Sequence, residues 1–433
     1  MLLQGWGRYS QLEVQVSLPL SKTHCVQDLQ YGSPLIPRGL GRSYGDSALF
    51  QKVLSTRYLD HFEAFDAVTG TLTCDAGVSL DDILRTFVPL GWFLNVTPGT
   101  RFITVGGAIA SDVHGKNHHG VGTFCTQVER LSILLGNGEC VIASPIHNAD
   151  LFSATCGGMG LTGVILSATF SLRPIVSSDI VQTTIKAPNL ESALDAFECH
   201  SDSTYSVAWI DCLATGASLG RSLVMLGEHS KEGTLIFQPK APINVPCNLP
   251  ISPLNHTSVQ AFNTLYYGRI RQAKSTKRIS LESFFYPLDS IANWNHLYGK
   301  SGFLQYQFVL PKIAGIPALR EVLVHIAQSG QASFLAVLKV FGAQNSNMLS
   351  FPIEGYTLAL DFKVEPSVFL LLEQLDQIVL HYGGRLYLTK DSRMSETTFK
   401  FSYSRWHEFE EVRALWHAHG KFASSQSRRL GLL

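Results

Sequence analysis

No stretch constrains this chain more than Pro37-Arg38-Gly39-Leu40-Gly41-Arg42-Ser43-Tyr44-Gly45-Asp46. Three glycines, a serine and two arginines share one turn-forming segment. Glycine lets a backbone turn sharply and come close to a ligand. Consecutive turn amides form an anion-binding nest, and arginines add positive charge. The pattern suits a pyrophosphate, and an ordinary glycine-rich turn would satisfy it equally. A second run, Thr97-Pro98-Gly99-Thr100 and then Thr104-Val105-Gly106-Gly107-Ala108-Ile109-Ala110-Ser111-Asp112-Val113-His114-Gly115, is dominated by small residues. Such a backbone can lie flat against a large planar or phosphate-bearing ligand, with Ser111 and His114 facing it. A tightly packed strand-turn region would need the same small residues.

Two other patterns look like chemistry and fail on context. His114 and His118 stand four apart, which on a helix would put two metal ligands on one face. Gly115 and Gly120 weaken that helix, and no nearby carboxylate or thiol completes a set. A polar active-site loop is expected there, and no metal. Gly158-Met159-Gly160-Leu161-Thr162-Gly163 matches G-x-G-x-x-G by letter. A dinucleotide fingerprint follows a strand and opens a helix. Here the helix-like segment comes first and the strand-like one after, which excludes a nicotinamide-binding Rossmann domain.

At 433 residues the chain has room for two or three domains. Hydrophobic residues at 45% against 16% charged supply a large core and argue against disorder. Basic and acidic residues balance at 34 each, so no global basic field draws nucleic acid. Eight scattered cysteines without a C-x-x-C pair point to buried reduced thiols. The start, Met1-Leu2-Leu3-Gln4-Gly5-Trp6-Gly7-Arg8, is no signal-peptide core, and no apolar run reaches membrane-spanning length. The expectation is a cytoplasmic protein, at most peripheral at the inner face of a membrane.

Strands are expected at 53–59, 71–74, 128–135 and 164–172, with helices at 80–90, capped by Ser79, and 150–155. The texture changes near Arg173-Pro174. Amphipathic helices at 190–199, 319–329 and 368–382 then alternate with strands at 205–211, 303–310 and 356–362. An antiparallel sheet carrying helices on one face fits that mixture. From Arg385 a last piece ends in a helix at 406–417 and a short polar tail. Residues 238–256 hold five prolines, Pro239, Pro242, Pro246, Pro250 and Pro253, followed by Arg269, Arg271, Lys274, Lys277 and Arg278. A long mobile loop is expected there.

Taken in order, these segments resemble the vanillyl-alcohol-oxidase type of FAD-binding domain, also called the PCMH type. The first motif resembles its pyrophosphate loop, the second its flavin-facing wall, and 157–165 its closing segment. The resemblance runs nearly end to end, through Gly302-Phe303-Leu304-Gln305-Tyr306-Gln307, residues 386–393 and Ser427-Arg428-Arg429-Leu430. It is nearest to the branch that oxidises a polyprenyl-phosphate pentose, the flavin half of a two-enzyme sugar epimerisation. An α+β fold is implied, with a PCMH-type FAD domain from 1–176 and 385–433 and an inserted substrate domain of antiparallel sheet plus helices at 177–384. FAD contacts are implied for Arg38, Gly39, Gly41, Arg42, Ser43, Tyr44, Gly45, Gly99, Thr104, Gly106, Gly107, Ser111, His114, Ile165 and Tyr387. Many relatives tether the flavin through a histidine in the first loop. This chain has Arg42-Ser43-Tyr44 there, so non-covalent FAD is expected.

The resemblance makes Lys390 the main catalytic candidate, with His114 and Tyr44 beside it. A hydride arriving at the flavin leaves negative charge on the pyrimidine side, which a fixed ammonium stabilises. His114 is the candidate proton acceptor, since histidine titrates near neutrality. Tyr44, Lys116, Gln305, Gln307 and Lys339 resemble sugar-pocket residues, the lysines suited to a phosphate and the glutamines to hydroxyls. One departure stands out. Where relatives carry a cysteine facing the flavin this chain has Ala359, and an asparagine two positions earlier is Thr357. Covalent inhibitors aimed at that thiol are expected to fail. The expected reaction oxidises a secondary hydroxyl to a ketone, and a separate short-chain reductase finishes the epimerisation. The basic, proline-rich region then either meets a lipid-borne anionic substrate at a membrane surface or is a solvated excursion. The rivals are an aldonolactone oxidase of the D-arabinono-1,4-lactone type or a free-sugar oxidase, a redox-idle flavin-binding assembly protein and, last, a zinc hydrolase.

Overall fold

Alternation along one strand sets the architecture. In Phe303–Pro311, Leu304, Tyr306, Phe308 and Leu310 join a large hydrophobic core, while Gln305 and Gln307 face the other way into a cavity. Successive strand side chains point to opposite faces, so one strand serves both tasks. Its neighbours repeat the pattern: Leu358 and Leu360 against Thr357 and Ala359, Ala336 and Leu338 against Val337 and Lys339. The core-facing side is covered by the helices Leu190–Glu198, Gly315–Ser329 and Pro366–His381, whose apolar faces join the same core. Each buried leucine or phenylalanine there is worth about 1.5–3 kcal/mol.

The computed structural model describes residues 1–30, 34–248, 255–333 and 335–432. In it these strands form an eight-stranded antiparallel sheet ordered Lys274–Ser280, Asp179–Ala187, Ser222–His229, Tyr205–Ile210, Ala336–Phe341, Gly355–Lys363, Phe303–Pro311, Arg385–Leu386. A second antiparallel sheet, built around the long strand Val164–Pro174, carries the core of the N-terminal part. A small parallel sheet joins Gln15–Ser17, Lys52–Ser55 and Ile36–Arg38. This is an α+β fold of the two-domain PCMH type. Arg101 ties its two parts together. The guanidinium meets Asp81 at 2.6 Å and Glu282 at 3.2 Å, and its backbone N–H donates to Asp289.

Several expected elements shift. Strand 53–59 ends at Ser55, where the chain turns. The helix expected at 80–90 is α-helical over Leu80–Phe87 and tightens to a 3-10 turn over Val88–Leu90, because Pro89 has no N–H to continue the ladder. Ser79 caps it as expected, in a reciprocal capping box with Asp82. The polar tail is not all coil: Ser424 caps a helix over Ser425–Arg429. Much of the basic stretch after the prolines is ordered. A helix, His256–Gly268, precedes it, and Lys274, Lys277 and Arg278 lie on the edge strand of the large sheet. Within the proline-rich segment Ile243–Asn244 pairs with Ile291–Ala292, and residues 249–254 lie outside the described residues. Cys140, Cys199 and Cys247 are exposed, where buried thiols were expected.

Candidate active site

Arg38 closes the parallel strand Ile36–Arg38, and the glycine-rich loop leaves from its end. Gly41 takes a left-handed turn, φ +63°, that favours glycine. Among the described residues, the backbone N–H groups of Leu40, Gly41, Arg42 and Ser43 donate to no protein acceptor, and all four residues line one cavity. Backbone donors seldom go unused away from bulk water. The Arg42 guanidinium stacks on Trp6 at 4.3 Å. That of Arg38 donates to the carbonyls of Ala48 and Gln4, so it braces the loop from behind.

The second motif forms the facing wall. Thr104 caps the short helix Val105–Ala110, its hydroxyl accepting from the Gly107 N–H at 3.1 Å. Loop and helix press together where a Cβ on Gly39 would lie 2.3 Å from Thr104 Oγ1. A Cβ on Gly99 would meet nothing within 4 Å. Ser111 offers its carbonyl to the Tyr387 hydroxyl at 2.9 Å.

The third wall comes from far along the chain. After the short strand Arg385–Leu386 the backbone turns through Tyr387 to Lys390. The Tyr44 N–H donates to the Thr389 carbonyl at 3.0 Å. Arg429 joins Asp46 of the first loop, at 2.7 Å, to Asp391, at 2.9 Å. Lys390 Nζ sits 3.8 Å from the centre of the Tyr44 ring, a cation–π contact.

These walls and the polar face of the large sheet enclose a cavity of about 580 Å³. Arg38, Gly39, Gly41, Arg42, Ser43 and Tyr44 line it, as do Gly99, Thr104, Gly106, Gly107, Ser111, His114, Ile165 and Tyr387. So do the sugar-pocket candidates Lys116, Gln305, Gln307, Lys339, Thr357 and Ala359, together with Lys390. Gly45 does not. It packs behind the loop, where a Cβ would stand 1.9 Å from the Asp391 carbonyl oxygen. Trp6, Trp209, Tyr266 and Asp289 also line the cavity and were missed, since isolated aromatic residues or a lone aspartate in a sequence carry no site signal.

His114 is 5% exposed, and burial, then Lys339, drives its pKa well below the ordinary value, so it is neutral. Thr357 donates its hydroxyl proton to the Phe308 carbonyl. The Gln307 amide nitrogen lies 3.0 Å from His114 Nε2 and 3.2 Å from Thr357 Oγ1, and donates to both. The proton of His114 therefore sits on Nδ1, which has no hydrogen-bond partner among the described residues. His118 begins a separate short turn, His118–Val121, so the two histidines do not share a helix face. No group of three metal-ligating side chains occurs among the described residues.

Among the described residues, five cationic side chains line the cavity (Arg38, Arg42, Lys116, Lys339 and Lys390) against one carboxylate, Asp289. Burial draws Lys116 down to about 7, with Lys339 adding to the effect, and draws Lys339 itself to about 8. Neither ammonium has a carboxylate within salt-bridge reach among the described residues; Lys116 donates to the Phe284 carbonyl. The undonated loop amides, the open wall at Gly99 and the cationic lining fit the pyrophosphate and flat ring system of a flavin dinucleotide.

Fold and site together define an FAD-dependent oxidoreductase. Residues 26–144 match the family model described as an FAD binding domain. The chain is 37% identical to decaprenylphosphoryl-β-D-ribose oxidase of Mycolicibacterium smegmatis, over 100% of its own length and 97% of that protein. It is 31% identical to an uncharacterized protein of Streptomyces coelicolor, over 82% of this chain and 100% of the other. L-gulonolactone oxidase 5 of Arabidopsis thaliana shares 29% identity over 30% of this chain and 23% of its own. The chain belongs to the family of the mycolicibacterial oxidase.

Proposed function

We propose that this protein oxidises the 2-hydroxyl of decaprenylphosphoryl-β-D-ribose, or a close polyprenyl-phosphate pentose, to the 2-keto form. The observation that carries the reading is the pair Lys116 and Lys339, two ammonium groups on the cavity wall with no carboxylate partner among the described residues. A phosphate supplies the missing charge, whereas a neutral lactone leaves both uncompensated. The similarity to a gulonolactone oxidase is limited to 30% of the chain.

FAD, held non-covalently, supplies a hydride acceptor when bound. The loop amides of 40–43 and Arg42 hold its pyrophosphate, with residues 104–107 as the facing wall. Lys390, fixed over Tyr44, keeps a positive charge beside the reacting centre and stabilises negative charge as it develops. Gln305 and Gln307 orient the sugar hydroxyls. For His114 to take the hydroxyl proton, the Gln307 amide must first turn away from Nε2, the unprotonated ring nitrogen; burial keeps the ring neutral and also makes it a weak base. Residues 177–384 form the substrate domain, and 1–176 with 385–433 the FAD domain.

A ketone product calls for a reductase to restore the hydroxyl with inverted configuration, and a short-chain reductase is the proposed partner. Peripheral membrane contact fits the face around His256–Gly268. Phe262 and Leu265 are exposed there, Tyr266 of the same helix lines the cavity with Arg269 over its ring, and the exposed Arg271, Lys274 and Lys277 follow in sequence. No helix among the described residues is long and apolar enough to cross a membrane.

The deciding experiment adds decaprenylphosphoryl ribose to the yellow protein without oxygen and follows the flavin band. Prompt bleaching, absent with simple aldonolactones, is the expected result. Bleaching by lactones alone would overturn the substrate assignment.

A further inference from the structure

Asp112 stands where the backbone asks for glycine. It follows the helix Val105–Ala110 in the left-handed region, φ +38°. Its N–H donates to the Ile109 carbonyl at 3.0 Å, and the Val113 N–H donates to the Ala108 carbonyl at 3.0 Å. This pair of bonds ends a helix in a Schellman motif, whose left-handed position glycine fills at least cost. What aspartate adds is a carboxyl, and it is fully buried. Oδ1 accepts from the Cys125 N–H at 3.2 Å. Oδ2 accepts from the side chains of Asn345 at 2.8 Å, Asn347 at 3.0 Å and Ser350 at 2.6 Å. Those three residues lie on the loop between the strands Ala336–Phe341 and Gly355–Lys363. Asp112 thus pins a loop of the large sheet to the glycine-rich wall.

The pinned residues are flanked by two phenylalanines that pack on His114. The imidazole centre lies 4.6 Å from that of Phe341 and 5.9 Å from that of Phe351. Tyr387, stacked on Phe351 at 4.5 Å, stands 5.5 Å from the imidazole. A functional histidine is ordinarily oriented by a hydrogen bond on its second ring nitrogen. Here Nδ1 has no such partner among the described residues, so packing sets the ring.

We propose that Asp112 is a positioning residue for His114: it anchors residues 345–350 so that Phe341 and Phe351 hold the imidazole with Nε2 against Gln307. Its consequence for the reaction rests on His114 being the proton acceptor proposed above.

The test reads the ring itself and needs no sugar. Holoenzyme is treated with diethyl pyrocarbonate, which acylates unprotonated imidazole, and labelling at each histidine is followed by peptide mass spectrometry. Asp112→Gly keeps the left-handed turn and removes only the carboxyl. Labelling of a buried ring proceeds through local opening. His114 should therefore react at least about tenfold faster in this variant, the worth of one buried hydrogen bond. Asp112→Asn, whose amide oxygen still accepts from the loop, should restore a rate close to wild type. His229, which packs elsewhere on Phe93 at 5.4 Å, should keep its wild-type rate throughout. Asn345→Ala combined with Asn347→Ala cuts the anchor from the loop side and should reproduce Asp112→Gly; it decides the matter if Asp112→Gly does not fold. An unchanged rate at His114, an equal rise at His229, or failure of both variants to fold overturns the proposal. Anaerobic flavin reduction by decaprenylphosphoryl ribose should slow in Asp112→Gly with KM little changed. Faster labelling without slower reduction upholds the anchor and removes His114 from proton transfer.

Discussion

Replacing Arg429 by methionine should loosen the segment that carries Lys390 from the first loop. The guanidinium reaches Asp46 Oδ1 at 2.7 Å and Oδ2 at 3.2 Å, Asp391 Oδ2 at 2.9 Å and the Met394 carbonyl at 2.6 Å. Its side chain is 24% exposed, that of Asp46 12% and that of Asp391 4%. Methionine keeps most of the stem and leaves two buried carboxylates facing each other without a cation. Removing one partner of a buried pair costs about 3–5 kcal/mol. The partial exposure of Arg429 places the loss near about 3 kcal/mol, roughly a hundredfold in the folding equilibrium. Urea unfolding at pH 8 measures it. Burial raises the Asp46 carboxyl and Arg429 pulls it down. Without the arginine its folded pKa rises further above the unfolded value, which penalises the charged form. The deficit is therefore full at pH 8 and shrinks as pH falls through that raised pKa. An unchanged urea midpoint, or a deficit equal at pH 5 and pH 8, would refute the reasoning.

Lys116→Met and Lys339→Met should each raise KM for a phosphate-bearing sugar by about 10–100-fold with kcat little changed, the worth of one charged hydrogen bond. Because the free ammonium groups titrate at about 7 and about 8, steady-state kinetics should also show wild-type affinity for that substrate weakening as pH rises through this window. Lys390→Ala should keep FAD, seen as an unchanged flavin content, yet slow anaerobic flavin reduction by about a hundredfold or more, the cost of one electrostatic stabiliser. A thiol-directed covalent inhibitor should leave the wild-type mass unchanged, because Ala359 offers no nucleophile. Ala359→Cys should gain the adduct, and intact-mass spectrometry separates the two outcomes.

Three strands of the large sheet were legible, at 205–211, 303–310 and 356–362, the second with Leu304 and Tyr306 on one side and Gln305 and Gln307 on the other; Asp179–Ala187, Ser222–His229, Lys274–Ser280 and Ala336–Phe341 were not read as strands. Ser79 was legible as a cap, while Pro89 was overlooked as the residue that ends the helix at Phe87. The cavity lining followed from glycine-rich segments whose close backbone approach the structure displays at Gly39 and Thr104. Gly45 sits in the same motif and faces Asp391, a contact that local sequence cannot announce. Asp361 shares its strand with Thr357 and Lys363, and its hydrogen bond to Gln305 could be seen only once the partner strand was placed beside it. Trp6 reaches the cavity only because the chain ahead of it pairs back on itself and lays it against Arg42.

Asp46 and Arg429, which clasp the two ends of the cofactor site together, are 383 residues apart along the chain. A ribosome adds about 5–20 residues each second. The first loop therefore waits on the order of 20 seconds or more before its closing partner exists. Until then the site stays open, because its third wall, with Lys390, also comes from the last part of the chain. The clasp of Asp46, Arg429 and Asp391 thus ties closure of the cradle to synthesis of nearly all of these 433 residues.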